Sequence, residues 1–294
     1  MPIPVLPPAW VTFPGQGQPA HLAPANGFPP QVYGPWLAGL QDVFTVRSLV
    51  PYAMRASEPP PRDLEWLDLA HEMAHHLDRL PARGWVGIGH SLGGVLSLMV
   101  AVERPEIFRA LVLLDPVFLP APLLWGMRVL RALRQEFRFP LARQALRRRR
   151  IFPSREAFAQ RYRSRALFRS WHPDAWQAYV THGLRATEHG FTLAYDPRWE
   201  ATLFARVPVD VWRWVRRAGE AAIPAVILYG EHSEIFRWGV LRRLRRWWPQ
   251  ARLVPVPGRG HMFPMEAPET TAALVRDAWQ ALPQPREKQT ASEP

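Results

Sequence analysis

Short apolar segments alternate with longer mixed segments along most of the chain, and this alternation predicts strands followed by helices. Residues 84–88 form an apolar run that predicts a buried strand, and residues 92–103, rich in Leu, Val, Ala and Met, predict the helix after it. Residues 111–116, 224–229 and 251–256 predict three further strands. Strands separated by helices favour a mostly parallel sheet with helices on both faces.

The alternation stops near residue 120. Residues 120–205 predict helical segments rich in arginine and aromatic residues, without convincing strands. This stretch is too long for a loop, so we expect an insertion between two strands of the sheet. Its aromatic side chains either form the core of the insertion or line an apolar pocket; they are Trp125, Phe137, Phe139, Trp171, Trp176, Tyr179, Phe191 and Trp199.

A serine stands between the predicted strand 84–88 and the helix that follows it. Residues 89–93 read Gly-His-Ser-Leu-Gly, a G-x-S-x-G pattern with Ser91 at its centre. A serine on a sharp strand-to-helix turn presents its hydroxyl above the sheet edge, and the first N–H groups of the helix point toward the group it attacks. The pattern in this setting predicts a nucleophile, and an ordinary glycine-rich turn is the alternative.

A serine nucleophile needs a base, and the chain has 10 histidines. His261 follows the last predicted strand, 251–256, and precedes a final predicted helix that opens at Glu266. Gly258 and Gly260 allow a tight loop that holds His261 over the sheet edge. Serine first, then histidine on the last strand-to-helix loop, is the chain order of α/β hydrolases.

The chain resembles the α/β-hydrolase fold family, as a serine esterase-like or lipase-like member, over residues 10–282. Residues 25–30, Ala-Asn-Gly-Phe-Pro-Pro, resemble the family's His-Gly-x-Pro loop, with Asn26 in place of the His. The resemblance implies a mostly parallel central sheet flanked by helices, with an inserted helical cap over the active site. It also implies an oxyanion hole formed by the backbone N–H groups of Phe28 and Leu92.

The third member of a catalytic triad has two candidates. In many members of the family the acid is an Asp three residues after a Gly, beyond the strand that precedes the last one. Ser233 occupies that position here, and Glu234 comes one residue later. Asp115 lies at the end of the predicted strand that follows the helix 92–103. It resembles the acid of a subgroup of small esterases. We favour Asp115 as the acid and keep Glu234 as the alternative.

These residues predict a serine hydrolase that cleaves carboxylic esters, thioesters or lactones. His261 would take the Ser91 proton, Ser91 would form an acyl-enzyme, and water would release it. This chemistry needs no cofactor, and we expect a small-molecule acyl substrate that is apolar or amphiphilic. A C–C bond hydrolase on the same triad and a non-catalytic, ligand-binding homologue are the alternatives.

A second motif suggests different chemistry. Residues 71–75, His-Glu-Met-Ala-His, fit the H-E-x-x-H zinc signature. On a helix at 100° per residue, His71, Glu72 and His75 fall opposite the apolar arc, so we expect them to face solvent. A zinc protease needs a histidine pair that faces a cleft and a third ligand nearby, and no third-ligand pattern follows. We therefore expect a surface helix here and no metal site.

The length of 294 residues accommodates one domain with a cap. We expect a core of residues 1–119 and 206–282, a helical cap of residues 120–205 and a disordered tail of residues 283–294. The absence of cysteine excludes disulfides and thiol catalysis. Because the N-terminus does not resemble a signal peptide and no run of 18 apolar residues occurs, we expect a cytoplasmic protein without a membrane span.

The formal net charge is +12, and arginines cluster within residues 143–169 and 237–246. Basic runs with interspersed aromatic residues can bind nucleic acid or an anionic membrane surface. Lys288 is the only lysine among the 37 basic residues, which indicates a compositional bias toward arginine. We therefore interpret both clusters as solvated helix faces and expect no nucleic-acid partner; the oligomeric state stays open.

Overall fold

The computed structural model describes residues 3–282. Its strands are β1 (Trp10–Thr12), β2 (Gln18–Ala23), β3 (Phe44–Leu49), β4 (Trp85–His90), β5 (Phe108–Leu114), β6 (Ile151–Phe152), β7 (Leu184–Thr187), β8 (Gly190–Leu193), β9 (Ala225–Gly230) and β10 (Ala251–Val256). Its first helices are α1 (Gly34–Ala38), α2 (Tyr52–Arg55), α3 (Trp66–Leu77), α4 (Leu92–Glu103), α5 (Ala121–Ala132), α6 (Pro140–Leu146) and α7 (Arg155–Tyr162). The remaining helices are α8 (Pro173–His182), α9 (Pro197–Ala205), α10 (Val211–Glu220), α11 (Val240–Trp247), α12 (Phe263–Glu266) and α13 (Pro268–Gln280).

Seven strands form the central sheet in the order β1-β3-β2-β4-β5-β9-β10. Each neighbouring pair is parallel except β1 with β3, which is antiparallel. Parallel strands end at the same edge of a sheet, so the residues that follow β2, β4, β5, β9 and β10 converge there. The sequence-based prediction of a mostly parallel sheet flanked by helices is confirmed.

The centre of the sheet is buried on both faces. Every residue of β4 is buried, and so are the last five residues of β5. Helix α4 is apolar around most of its circumference because it lies against β4 and β5 while α3 and α10 cover its outer side. This packing explains the continuous apolar runs that predicted a strand and a helix around Ser91.

The segment between β5 and β9 contains α5 to α10 and a second sheet, so the expectation of an insertion without strands was wrong in part. Strands β6, β8 and β7 pair antiparallel in that order. They contain only two to four residues, and three of the four residues of β7 are exposed. Such short, solvent-facing strands lack the alternation of apolar and polar residues by which a strand is predicted from sequence.

Hydrogen bonds from side chains and from the backbone attach the insertion to the rest of the fold. The indole N–H of Trp66 donates to the carbonyl of Leu203 (3.0 Å), and that of Trp199 donates to the carbonyl of Glu58 (2.8 Å). At α12, the backbone N–H of His172 donates to the carbonyl of Met265 (2.7 Å). The boundaries 1–119, 120–205 and 206–282 stay a prediction, and the expected tail 283–294 lies outside the described residues.

Within residues 3–282, no helix combines the length and the apolarity that crossing a bilayer requires.

Candidate active site

Ser91 lies on a sharp turn between β4 and α4, with φ 55° and ψ −116°. Its N–H donates to the carbonyl of Leu114 on the neighbouring strand at 3.0 Å. The flanking glycines permit the turn because a Cβ on Gly93 would overlap the Ala23 carbonyl, and one on Gly89 would overlap the backbone of Gly93. A serine backbone with a positive φ costs about 1–3 kcal/mol, which the surrounding packing must offset. The sharp turn places the Ser91 hydroxyl at the edge of the sheet.

The loops after β4, β5 and β10 bring Ser91, Asp115 and His261 into one hydrogen-bonded chain. His261 Nε2 lies 2.9 Å from Ser91 Oγ, and His261 Nδ1 lies 2.7 Å from Asp115 Oδ2. A carboxylate only accepts, so Nδ1 carries the ring proton and Nε2 accepts the serine O–H. Both distances are within hydrogen-bond reach, the geometry that lets a base remove a hydroxyl proton.

Asp115 is fully buried, and three donors surround its carboxylate. The N–H of Gly230 donates to Oδ1 (2.9 Å), and the hydroxyl of Ser233 donates to Oδ2 (2.5 Å), beside the His261 ring. These donors satisfy a charge that would otherwise be costly to bury. Strand β9 lies next to β5, which is why a residue after β9 reaches an acid placed after β5.

Glu234, the alternative acid, is not brought to His261. Its side chain is 78% exposed and forms an ion pair with Arg237 at 2.7 Å. Both ring nitrogens of His261 already bond to Ser91 and Asp115, so neither remains for a second carboxylate. The donation from Ser233 to the acid was not predicted from the sequence, although Ser233 was identified three residues after Gly230, at the usual acid position. A hydroxyl at the usual acid position can donate to an acid on the neighbouring strand.

The two residues expected to form an oxyanion hole lie on loops that touch. Leu92 is the first residue of α4, so its N–H belongs to the helix N-terminus, which has no intrahelical acceptor. The backbone of Gly93 packs against the carbonyls of Ala23 and Pro24, at the start of the loop that contains Phe28. The N–H of Phe28 makes a long bond of 3.3 Å to the Ala25 carbonyl. To act as an oxyanion donor, the Phe28 N–H would give up that bond for one to the substrate oxygen. Its role in an oxyanion hole stays a prediction.

A sequence model described as the alpha/beta hydrolase fold matches residues 40–268. This chain belongs to the α/β-hydrolase fold family. The strand order, the elbow at Ser91 and the position of His261 after the last strand agree with that assignment.

Relatives of this α/β hydrolase include the type I acyl-CoA thioesterase mpaH' of Penicillium brevicompactum, 39% identical over 64 residues. That match covers 20% of this chain and 14% of the relative, so it spans a small part of the curated protein. Among solved structures, E-2-(acetamidomethylene)succinate hydrolase superposes with a TM-score of 0.73 at 19% identity, covering 93% of this chain and 100% of that one. The thioesterase domain from the curacin biosynthetic pathway gives 0.68 at 17% identity, with 91% and 94% covered.

Asn26, which replaces the usual histidine of the family's loop, ties that loop to the insertion. Its Nδ2 donates to the carbonyl of Glu200 (2.9 Å), and its Oδ1 accepts from the Tyr195 hydroxyl (2.9 Å). At Gly27, with φ 90°, a Cβ would come within 3.1 Å of the Glu200 carboxylate. On the other side of the loop, the Phe28 ring packs against Trp171 and Tyr179. The insertion therefore holds the candidate oxyanion loop by both hydrogen bonds and aromatic packing.

A second chain of hydrogen bonds joins the candidate oxyanion loop to the backbone of His261. The N–H of Ala25 donates to the Tyr33 hydroxyl (2.9 Å), which lies 2.8 Å from His90 Nδ1. His90 Nε2 lies 3.0 Å from the His261 carbonyl, so Nε2 carries the proton and Nδ1 accepts from Tyr33. Burial, and then the nearby charge of His261, hold the pKa of His90 well below its usual range. His90 is thus a neutral link, which no sequence pattern identified.

The H-E-x-x-H segment lies on α3, and Glu72 does not face solvent as expected. Its side chain is 3% exposed and bonds to Arg55 (2.7 Å) and His76 (2.9 Å). The helical projection placed Glu72 on the polar side because it contains no information about Arg55, which α2 brings from outside the helix. His71 is exposed and bonds to Glu103 at 2.7 Å. Across the described part of the chain, no group of three or more His, Cys, Asp or Glu could hold a metal ion.

Substitution of the two candidate acids separates their roles. Asp115→Asn is expected to lower kcat by about 10⁴-fold, the loss typical of triad acids, because the amide favours the wrong tautomer of His261. Glu234→Gln should keep a kcat near the wild-type value because its carboxylate is paired at the surface. The measurement is steady-state hydrolysis of a soluble p-nitrophenyl ester. Equal, small losses in both variants would contradict the triad as drawn.

Tyr33→Phe tests the chain through His90. The change leaves the Ala25 N–H and His90 Nδ1 without their buried partner, which costs about 1–3 kcal/mol per group. We expect kcat to fall about tenfold with little change in KM, because a shift of about 1.4 kcal/mol in barrier height is tenfold in rate. Tyr52→Phe is the matched control, since its hydroxyl donates to the distant Pro4 carbonyl. A kcat for Tyr33→Phe equal to that of the control would reject the positioning role.

Proposed function

We propose that this α/β hydrolase is a serine hydrolase that cleaves carboxylic esters or thioesters through an acyl-enzyme on Ser91. The observation that carries the proposal is the chain from Ser91 through His261 to the buried Asp115, with bonds of 2.9 and 2.7 Å. A serine hydroxyl is a weak nucleophile at its ordinary pKa, and an oriented imidazole is the standard means of activating it.

In the proposed mechanism, His261 Nε2 accepts the Ser91 proton as Oγ attacks the acyl carbon. Asp115 holds the ring in the required tautomer and stabilises the imidazolium that forms. The N–H groups of Leu92 and Phe28 bind the oxyanion, an interaction worth about 3–4 kcal/mol per donor in serine proteases. His261 then protonates the leaving alcohol or thiol, and a water molecule repeats the attack on the acyl-enzyme.

Solvent exposure indicates the side from which a substrate would approach. Ser91 is 8% exposed and Asp115 is fully buried, whereas the His261 side chain is 31% exposed. The acyl group would therefore enter beside the imidazole. The insertion, residues 120–205, would act as a cap because it contacts the candidate oxyanion loop through Tyr195 and Glu200.

Thioesters are the substrates that the comparisons favour within this class. One relative is an acyl-CoA thioesterase, and one similar structure is a thioesterase domain. The acyl-enzyme mechanism serves both ester types, since a thiolate leaves more readily than an alkoxide and the serine attack is the same. A small-molecule acyl thioester is accordingly the first substrate class to assay.

A fluorophosphonate tests the proposal directly. It should add one phosphonyl group to the wild-type protein and none to Ser91→Ala, as read by intact mass. Ser170→Ala is the matched control, because this exposed serine bonds to Glu266 and should leave the labelling intact. Acyl thioesters and p-nitrophenyl esters of increasing chain length would then rank the two substrate classes. Absence of an adduct on the wild-type protein would reject the proposal in favour of a ligand-binding homologue.

A further inference from the structure

The outward face of α5 carries an apolar stripe of Trp125, Val129 and Leu133, the last directly after the helix. These residues recur every fourth position, so they lie along one side of the helix. Their exposures are 66%, 37% and 60%, whereas Leu124 and Met127 on the opposite side are buried. The helix is therefore apolar on both sides, and only one side is covered by the protein.

Exposed apolar side chains concentrate in this part of the molecule. Among residues 3–282, eleven large hydrophobic residues are exposed, and seven of them lie within residues 121–150. Besides the stripe, they are Leu123, Phe137, Leu141 and Leu146. Contiguous exposed apolar surface in a folded protein marks a site of interaction. We call residues 121–150 the α5–α6 surface.

The same surface is strongly basic. Residues 121–150 contain nine arginines and one acidic residue, Glu136. Glu136 forms an ion pair with Arg206 at 3.5 Å, so its charge is already matched outside the surface. Three of the exposed arginines, Arg134, Arg143 and Arg147, form no ion pair with any residue that the structure describes. The α5–α6 surface thus combines uncovered apolar groups with unmatched positive charge.

We propose that the α5–α6 surface docks onto an anionic lipid bilayer. Trp125, Val129 and Leu133 would enter the boundary between headgroups and acyl chains, where an indole is especially favourable. The arginines would bind lipid phosphates, with their apolar stems lying along the interface. A partner that is apolar inside and negatively charged outside matches both properties of this surface at once.

Charge and chemistry disfavour two other occupants. A second copy of the chain in a two-fold contact would bring the same arginines against each other. A nucleic acid would bind the arginines through its phosphates but would leave the Trp125-Val129-Leu133 stripe without apolar contact. The docking proposal does not depend on the proposed hydrolase activity, because neither the stripe nor the unpaired arginines belong to the candidate active site.

Vesicle sedimentation tests the proposal with the whole protein. We expect at least about tenfold tighter binding to phosphatidylcholine vesicles with 30% phosphatidylglycerol than to phosphatidylcholine alone, and a decrease in binding as salt rises. The variant Trp125→Ala/Val129→Ser/Leu133→Ser should lose about tenfold or more in affinity for the anionic vesicles. Arg134→Gln/Arg143→Gln/Arg147→Gln should remove most of the preference for anionic lipid.

Trp238→Ala is the matched control, because Trp238 is 67% exposed but lies outside the surface. It should bind vesicles as the wild-type protein does, and all variants should keep the wild-type melting temperature. Equal binding to neutral and anionic vesicles, or equal binding by the stripe variant and the Trp238 control, would overturn the proposal. A dimer in light scattering that the stripe variant dissociates would instead assign the surface to a second copy, and tighter competition by duplex DNA would assign it to nucleic acid.

Discussion

The carboxylate of Asp115 is fully buried, and a buried charge destabilises a protein unless donors surround it. Gly230, Ser233 and His261 provide those donors; Gly230 ends β9, Ser233 lies in the loop after it, and His261 lies in the loop after β10. The same three bonds that stabilise the charge also fix the loops after β9 and β10. The orientation of the His261 ring toward Ser91 therefore follows from satisfying Asp115, so stability and the candidate chemistry depend on one group.

The position of the candidate oxyanion loop depends on the insertion in a comparable way. Asn26 bonds to Tyr195 and to the carbonyl of Glu200, while Phe28 packs against aromatic rings of the insertion. Movement of the insertion would change the position of the Phe28 N–H, the predicted oxyanion donor. In this α/β hydrolase the insertion and the candidate oxyanion loop are thus mechanically coupled, whereas the Ser91-His261-Asp115 chain is held by the core.

The features that could be predicted from the sequence are those that depend on local residue patterns. Buried strands, the elbow at Ser91 and the place of His261 follow from apolar runs, glycine spacing and chain order, and the fold class followed from their alternation. Ser233, the Tyr33-His90 link and the burial of Glu72 were missed because each depends on a partner distant in sequence. The small sheet β6-β8-β7 was missed because its strands are too short and too exposed to show a period. Local patterns thus locate the elements, and tertiary contacts assign their polar partners.

The insertion and the core differ in how many apolar side chains they expose. In the core, exposed large apolar residues are few. On α6, Ala142 and Ala145 face inward and pack against α9, while leucines, a tryptophan and unpaired arginines of the α5–α6 surface face outward. Stability alone does not explain that arrangement, because exposing apolar side chains gains nothing in folding. The exposed apolar groups of the α5–α6 surface are therefore better explained by a partner than by the fold.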